Sequence, residues 1–176
     1  EAIFDRALMR QRRDRIAPGF DAHDFLFREI AERLAERAGD VRREFPLALD
    51  AGCRTGLFTQ AAQAIIPGKI AGFVQSEFAP GFARTAHART GVPTVIADDE
   101  ALPFAPASFD LVTSCAVLQG LNDVPGALLQ LRRSLKPDGL FLGALLGGET
   151  LHELRQALLT AEAEIEGGAS PRVAPF

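Results

Sequence analysis

Tryptophan and tyrosine are absent from this chain of 176 residues, methionine occurs once and cysteine twice. The two thiols, Cys53 and Cys115, lie far apart with no C-x-x-C spacing. That argues against a structural zinc site or a disulfide framework and for a reducing compartment. The three histidines, His23, His87 and His152, form no H-x-D or H-x-E pair, so no two-histidine iron site is legible and no metal is expected. A phosphate-binding P-loop and a Ser-His-Asp arrangement are also lacking, and no catalytic residue declares itself. Long apolar runs are missing. The longest, Leu140 to Leu146, is broken by Gly143 and falls well short of the ~20 residues that cross a bilayer. No integral membrane segment is expected, and the N-terminus shows no signal-peptide core. Lysine is scarce, with 17 arginines to 2 lysines, which reads as the coding bias of a bacterial source, so a bacterial cytoplasmic location is expected. The net charge of −4 leaves no long-range attraction for nucleic acid.

What is present has the balance of an ordinary globular domain, 47% hydrophobic and 24% charged. Residues 1–15 are basic, with Arg6, Arg10, Arg12, Arg13 and Arg15, and carry a partial apolar face through Ile3, Phe4, Ala7, Leu8 and Met9. Two readings stand: a solvated helix packed over the domain, or an arm for a protein partner or the periphery of an anionic inner membrane. Asp21 to Ala38 follows helical spacing through Phe25, Ile30, Leu34 and Ala38, with Asp21 or Asp24 as cap. From Phe45 onward strands and helices alternate. The strands are Leu47–Ala51, Ile70–Ser76, Val92–Ala97, Phe109–Cys115 and Leu140–Leu146. The helices are Gly56–Ile65, one from Pro80 to Gly91, one capped by Asn122-Asp123 and running to about Leu135, and a last one introduced by a Thr150-Leu-His-Glu153 capping box. Near-continuous apolar strands separated by helices predict a Rossmann-like, doubly wound parallel sheet of order 3-2-1-4-5. An N-terminal helical extension (1–44) precedes the core (45–166), and an irregular tail (167–176) follows.

In such sheets ligands sit at the carboxyl ends of the strands, where strand order reverses. Each end here carries a candidate. The glycine turn Asp50-Ala-Gly-Cys-Arg-Thr-Gly56 follows the first strand. Glu77 ends the second, suited to accept hydrogen bonds from two ribose hydroxyls. Asp98-Asp99-Glu100 follows the third, suited to an adenine amino group. Singly each is weak, and a surface acid near a helix N-terminus or a solvated acidic loop is the commoner account; together, at successive strand ends, they are a much stronger signal for a nucleotide site.

These residues resemble a known family. Leu49-Asp-Ala-Gly-Cys-Arg-Thr-Gly56 is similar to the first motif, D-x-G-C-G-x-G, of class I S-adenosylmethionine-dependent methyltransferases. Ala97-Asp-Asp-Glu-Ala-Leu-Pro-Phe104 with Ser108-Phe-Asp-Leu-Val112, and Leu135-Lys-Pro-Asp-Gly-Leu140, resemble two further segments of that superfamily. Over nearly the whole chain, Ile3-Phe-Asp-Arg6, Arg43-Glu-Phe-Pro-Leu-Ala-Leu-Asp50, Leu121-Asn-Asp123, Gly147-Gly-Glu-Thr-Leu-His-Glu-Leu-Arg155 and the tail segments Glu166-Gly-Gly-Ala-Ser-Pro171 and Ala174-Pro-Phe176 resemble the mitochondrial complex I assembly factor branch and its bacterial relatives. The biotin-pathway malonyl-carrier methyltransferases are related. The resemblance implies S-adenosylmethionine as cofactor, bordered by Asp50, Ala51, Gly52, Cys53 and Gly56, with Glu77 and Phe78 at the ribose, Asp98 and Asp99 at the adenine, and Cys115 near the methyl donor. It implies a protein or small-molecule methyl acceptor. In the assembly-factor branch it implies a respiratory-complex subunit, modified by arginine hydroxylation.

The chain also departs from the pattern. Arg54 replaces a motif glycine, so its side chain has to reach solvent, meet the cofactor carboxylate or fill the site. Ala79 stands where a capping serine is usual, and Leu118-Gln119-Gly120 replaces a His-Trp pair. Only five strands are readable where the superfamily has seven, so the C-terminal antiparallel pair is expected to be missing and the Leu140–Leu146 edge to be exposed.

Overall fold

The middle of the fold is a strand of four residues, β1 (Ala48–Ala51), every one of them buried. In the computed structural model, which describes residues 2–168 and 170, parallel neighbours flank it on both sides. Ala48 pairs with Phe73 of β2 (Phe73–Glu77) and with Leu111 of β4 (Phe109–Cys115). Outside them lie β3 (Thr94–Ile96) and β5 (Leu135–Ala144), giving the order β3-β2-β1-β4-β5 that the alternating pattern predicts. Successive strand residues face opposite sides of a sheet. Ala48 and Leu111 accordingly join one core cluster, and Leu49 and Val112 the other.

The helices are α1 (Arg6–Ile16), α2 (Phe25–Asp40), α3 (Leu57–Ile65), α4 (Pro80–Thr90), α5 (Val124–Ser134) and α6 (His152–Glu166). A 3-10 turn, Ala17–Ala22, joins α1 to α2. One face of the sheet packs Leu34 of α2, Phe58 of α3 and Phe82 of α4; the other packs Ala127 and Leu131 of α5. Local chemistry sets the ends. Asp5 accepts the Leu8 N–H to cap α1, and Asp123 accepts the Gly126 N–H to cap α5. Pro80 opens α4 with its φ preset, and Gly91 closes it in the left-handed region at φ 69°. The chain divides into two compact units after Ala144. The site lies within the first; α6 belongs to the second. Among the described residues no helix is long and apolar enough to cross a membrane.

Some boundaries differ from expectation, each for a local reason. The second helix begins at Phe25, not Asp21, because the 3-10 turn occupies residues 17–22 and the Asp24 carboxylate accepts from Arg28 instead of capping. Asp21 pairs with Arg89. The second strand begins at Phe73, since Ile70 makes only an isolated bridge to Phe45. The third shrinks to Thr94–Ile96. The fifth starts at Leu135 and ends at Ala144, and the Lys136–Gly139 turn is carried inside it: Leu135 pairs with Phe109, Leu140 with Leu111. The capping box at Thr150 does not form, because Leu151, at φ 57°, takes the cap position and moves Thr150 one residue out. The tail motif reaches residues 171–176, which lie outside the described residues.

Candidate functional site

The carboxyl ends of β1, β2 and β4, with the loop after β3, converge on a cluster of buried polar groups. Asp50, at 0% exposure, accepts a hydrogen bond from Thr59 Oγ1 at 2.9 Å, while its other oxygen has no partner. Burial pushes its carboxyl up to about 7, against the pull of Thr59. The turn that follows is tight: Gly52 at φ 68°, Arg54 at 50° and Gly56 at 79° are all left-handed. A side chain on Gly52 would stand 2.5 Å from Val117 Cγ2 and 3.2 Å from Asp99 Oδ1, so glycine lets the turn close against the loops after β3 and β4. Gly56 faces Thr90 and Gln75. Ala51 is buried beside Leu102, Ser114 and Val117. The Cys53 amide donates to Ser76 O, and burial raises its thiol well above the ordinary range.

Glu77 is fully buried and accepts hydrogen bonds through both oxygens. Its Oε2 accepts the Arg54 N–H at 2.9 Å, and its Oε1 the Ala79 N–H at 3.0 Å. Ala79 gives α4 no side-chain cap, and the Gly81 N–H that a serine there would take is accepted by Asp14 of α1. Arg13 Nη1 approaches Glu77 Oε1 at 3.4 Å. Asp98 accepts from the Glu100 N–H and, at 2.6 Å, from Arg6 Nη2. Partial burial opposes ionisation there, but these two donors hold the carboxyl below its ordinary value. Asp99 differs. Both its oxygens are buried without a hydrogen bond, Arg6 comes no nearer than 3.7 Å, and burial raises its carboxyl to about 7, with Glu77 adding to the rise.

Arg54 lies inside the site. Its guanidinium is 7% exposed overall as a residue, donates from Nη1 to Cys115 O at 2.7 Å and from Nη2 to Ala116 O at 2.6 Å, and stacks on Phe27 at 4.1 Å. Burial lowers its pKa to about 10, which leaves it charged at neutral pH. The Cys115 thiol points to Phe27 O and is pushed up to about 12 by burial. Ala116, at φ 53°, also accepts from Gln119 Nε2.

The basic arm packs over the domain, the first of its two readings. Ile3 and Phe4 donate to Asn122 Oδ1, and Gly81 donates to Asp14. Arg6 and Arg13, seven residues apart and so on one helix face, stack on Phe78 at 4.4 and 4.5 Å and reach the acids after β3 and β2. The sequence pattern puts Gln119 at this end of the sheet, in place of the His-Trp pair, but not these two arginines or Phe27; the spacing of Arg6 and Arg13 was the one signal for them. A cavity of about 190 Å³ opens between α1 and β3, lined by Arg6, Arg10, Phe78, Ile96 and Asp98. A larger one, about 710 Å³, lies at the other end of the sheet beside Arg132, Arg133 and Lys136, away from these acids. Among the described residues no group of three or more His, Cys, Asp or Glu is arranged to hold a metal ion.

Comparison with known proteins bears on this cluster. The methyltransferase domain family matches residues 49–143. Arginine-hydroxylase NDUFAF5, mitochondrial, of Homo sapiens is 44% identical over 99% of this chain and 50% of its own length. The malonyl-[acyl-carrier protein] O-methyltransferase of Gallionella capsiferriformans (strain ES-2) is 36% identical over 89% of this chain and 57% of its own. The chain thus spans about half the length of the curated relatives it matches. Among solved structures, the methyltransferase complexed with the Haloferax volcanii Trm112 activator superposes with a TM-score of 0.70 at 22% identity, covering 82% of this chain and 66% of that one. Haemonchus contortus phosphoethanolamine N-methyltransferase 1, solved with S-adenosylhomocysteine, gives 0.61 at 17% identity, covering 81% and 33%. At those identities the two structures speak for the fold.

Proposed function

We propose, for a chain that belongs to the class I S-adenosylmethionine-dependent methyltransferase superfamily, that this domain binds S-adenosylmethionine or its demethylated product across the ends of β1 to β4. The observation that carries the reading is Asp99, a buried carboxyl group beside the Gly52 turn whose two oxygens accept no hydrogen bond, Arg6 standing off at 3.7 Å. An adenine amino group is a fitting donor for it. The residues thus fit the nucleoside half of the cofactor. Glu77 serves the ribose by exchanging its long contact to Arg13, at 3.4 Å, for sugar hydroxyls. Asp98 and Phe78 flank the base, next to the 190 Å³ cavity. Asp50, Ala51, Gly52, Cys53, Gly56 and Cys115 frame the tail.

When bound, S-adenosylmethionine supplies an electrophilic methyl group. The chain's own part is positioning, which suffices for such a transfer without a dedicated base. Buried acids orient the nucleoside, the Gly52 turn closes against Asp99 and Val117 in the loops after β3 and β4, and α1 excludes water from the cluster. The acceptor is a protein or small molecule reached from the β4 side. Calorimetric titration with S-adenosylmethionine and S-adenosylhomocysteine tests the reading. Saturable heat that Asp99→Ala weakens is expected; no heat from either ligand at high micromolar concentration overturns it.

A second reading is favoured by the 44% identity to a protein named an arginine hydroxylase. In it the domain is a non-methylating assembly factor that binds or hydroxylates a respiratory-complex subunit. Mass spectrometry of the modified partner separates the two, by a gain of one oxygen against a gain of one methyl group.

A further inference from the structure

The residue that departs from the family's first motif also spans the site. The Arg54 amide donates to Glu77 Oε2 at the end of β2, while its guanidinium donates to Cys115 O and Ala116 O at the end of β4. Because β1 lies between β2 and β4, this single residue traces the path across the point where strand order reverses. A nucleoside whose sugar sits on Glu77 must run its 5′ substituent along that path, beside a guanidinium. The guanidinium is held there: two short hydrogen bonds to main-chain carbonyls, a 4.1 Å stack on Phe27 and near-complete burial all oppose its leaving.

We propose that Arg54 sets the ligand class of this cleft, favouring an adenosyl thioether with a neutral sulfur and a carboxylate tail over the sulfonium form. The inference rests on the cofactor-site reading above. A fixed cation in a poorly solvated site repels a second one and attracts a carboxylate far more strongly than it would in water. The acids facing the path offset little of this. Glu77 is already engaged by two N–H donors and Arg13, and burial keeps part of the Asp50 and Asp99 populations protonated near neutral pH. Arg13 adds a further positive charge, felt by Arg54 itself. The bare backbone of a glycine at this position would take the guanidinium's charge off the path.

The test is calorimetric titration of the whole chain and of Arg54→Lys, Arg54→Met and Arg54→Gly with S-adenosylmethionine and S-adenosylhomocysteine at pH 7.5, folding being checked by circular dichroism. Arg54→Gly suits the left-handed backbone. The parent and Arg54→Lys are expected to bind S-adenosylhomocysteine at least about tenfold more tightly. In Arg54→Met and Arg54→Gly the ratio is expected to fall several-fold, through tighter S-adenosylmethionine binding. An equal or reversed preference in the parent, or a ratio unchanged in the Met and Gly variants, overturns the proposal. If the parent binds neither ligand while Arg54→Gly binds both, Arg54 is a plug and not a filter, and the selectivity is refuted while the site stands. If no variant binds either, the cofactor-site reading itself falls, and this inference with it.

Discussion

Arg54 and Ala116 are both left-handed, at φ 50° and 53°, and they meet across the β1–β4 junction through a 2.6 Å hydrogen bond from guanidinium to carbonyl. Each strained residue aims a polar group at the other. The left-handed region costs a non-glycine residue about 1–2 kcal/mol, and the bonds to Cys115 O and Ala116 O offset that at Arg54. Arg54→Gly relieves the backbone but leaves the buried Cys115 carbonyl without its donor, so a net loss of about 1–2 kcal/mol is expected. Arg54→Ala keeps the strain and loses the bonds, and should fall about 1 kcal/mol below the glycine variant. Urea denaturation midpoints of the three proteins check the order; an alanine variant at or above the glycine variant contradicts the account.

Asp99 predicts a pH dependence. Its carboxyl is raised from 3.8 to about 7 in the folded protein, chiefly by burial. The folded state therefore keeps a proton that the unfolded chain sheds. Stability from this group is full below pH 3.8 and is lost as pH rises through about 7. Asp50 runs the same way, and Asp98, lowered, runs the opposite way. Asp99→Asn removes one contribution alone. Its stability relative to the parent should climb between pH 4.5 and 7.5 and level off above that, followed by urea denaturation at each pH. A difference that stays flat across the range refutes the assignment.

At Gly52 two costs combine. Its φ of 68° disfavours a side chain, and Val117 would stand at 2.5 Å. Gly52→Ala should cost about 2–4 kcal/mol in total. Gly91→Ala, at φ 69° with open space around it, carries the backbone cost alone, about 1 kcal/mol. Adding Val117→Ala to Gly52→Ala should yield a favourable coupling of about 1 kcal/mol or more in a double-mutant cycle. Strict additivity would show that crowding against Val117 is not the cause.

The acids hold α1 down. Removing Arg6 and Arg13 together takes away its contacts to Asp98, Asp99 and Glu77 and both stacks on Phe78. Hydrogen exchange of the α1 amides should accelerate at least about tenfold, while the β1 and β4 amides keep their protection. Uniform acceleration through the sheet would mean that α1 is part of the global folding unit and not a separable cover.

The sheet order was legible because its strands are apolar and its breaks are glycines, prolines and acids. Phe109–Cys115 is read residue for residue, although the apolar Ala116-Val117-Leu118 follows it directly. The acids at the strand ends were legible for the same reason. Their partners were not. Arg6 meets Asp98 across 92 residues of chain and Arg54 meets Ala116 across 62; no periodicity or spacing encodes a contact at that separation. The direction of the Arg54 side chain was open for a further reason. Solvent, a ligand carboxylate and main-chain carbonyls all satisfy a guanidinium, and only the carbonyl left inward by the left-handed Ala116 decides among them.

The bonds from Ile3 and Phe4 to Asn122 join positions 119 and 118 residues apart. At about 5–20 residues per second of synthesis, Ile3 and Phe4 wait on the order of ten seconds for Asn122 to follow them. Glu77 and the acids after β3 follow within that interval, so the arginines of α1 have their carboxylate partners before Ile3 and Phe4 have theirs. The segment before α1 is therefore secured only once the loop that leads into α5 has been made.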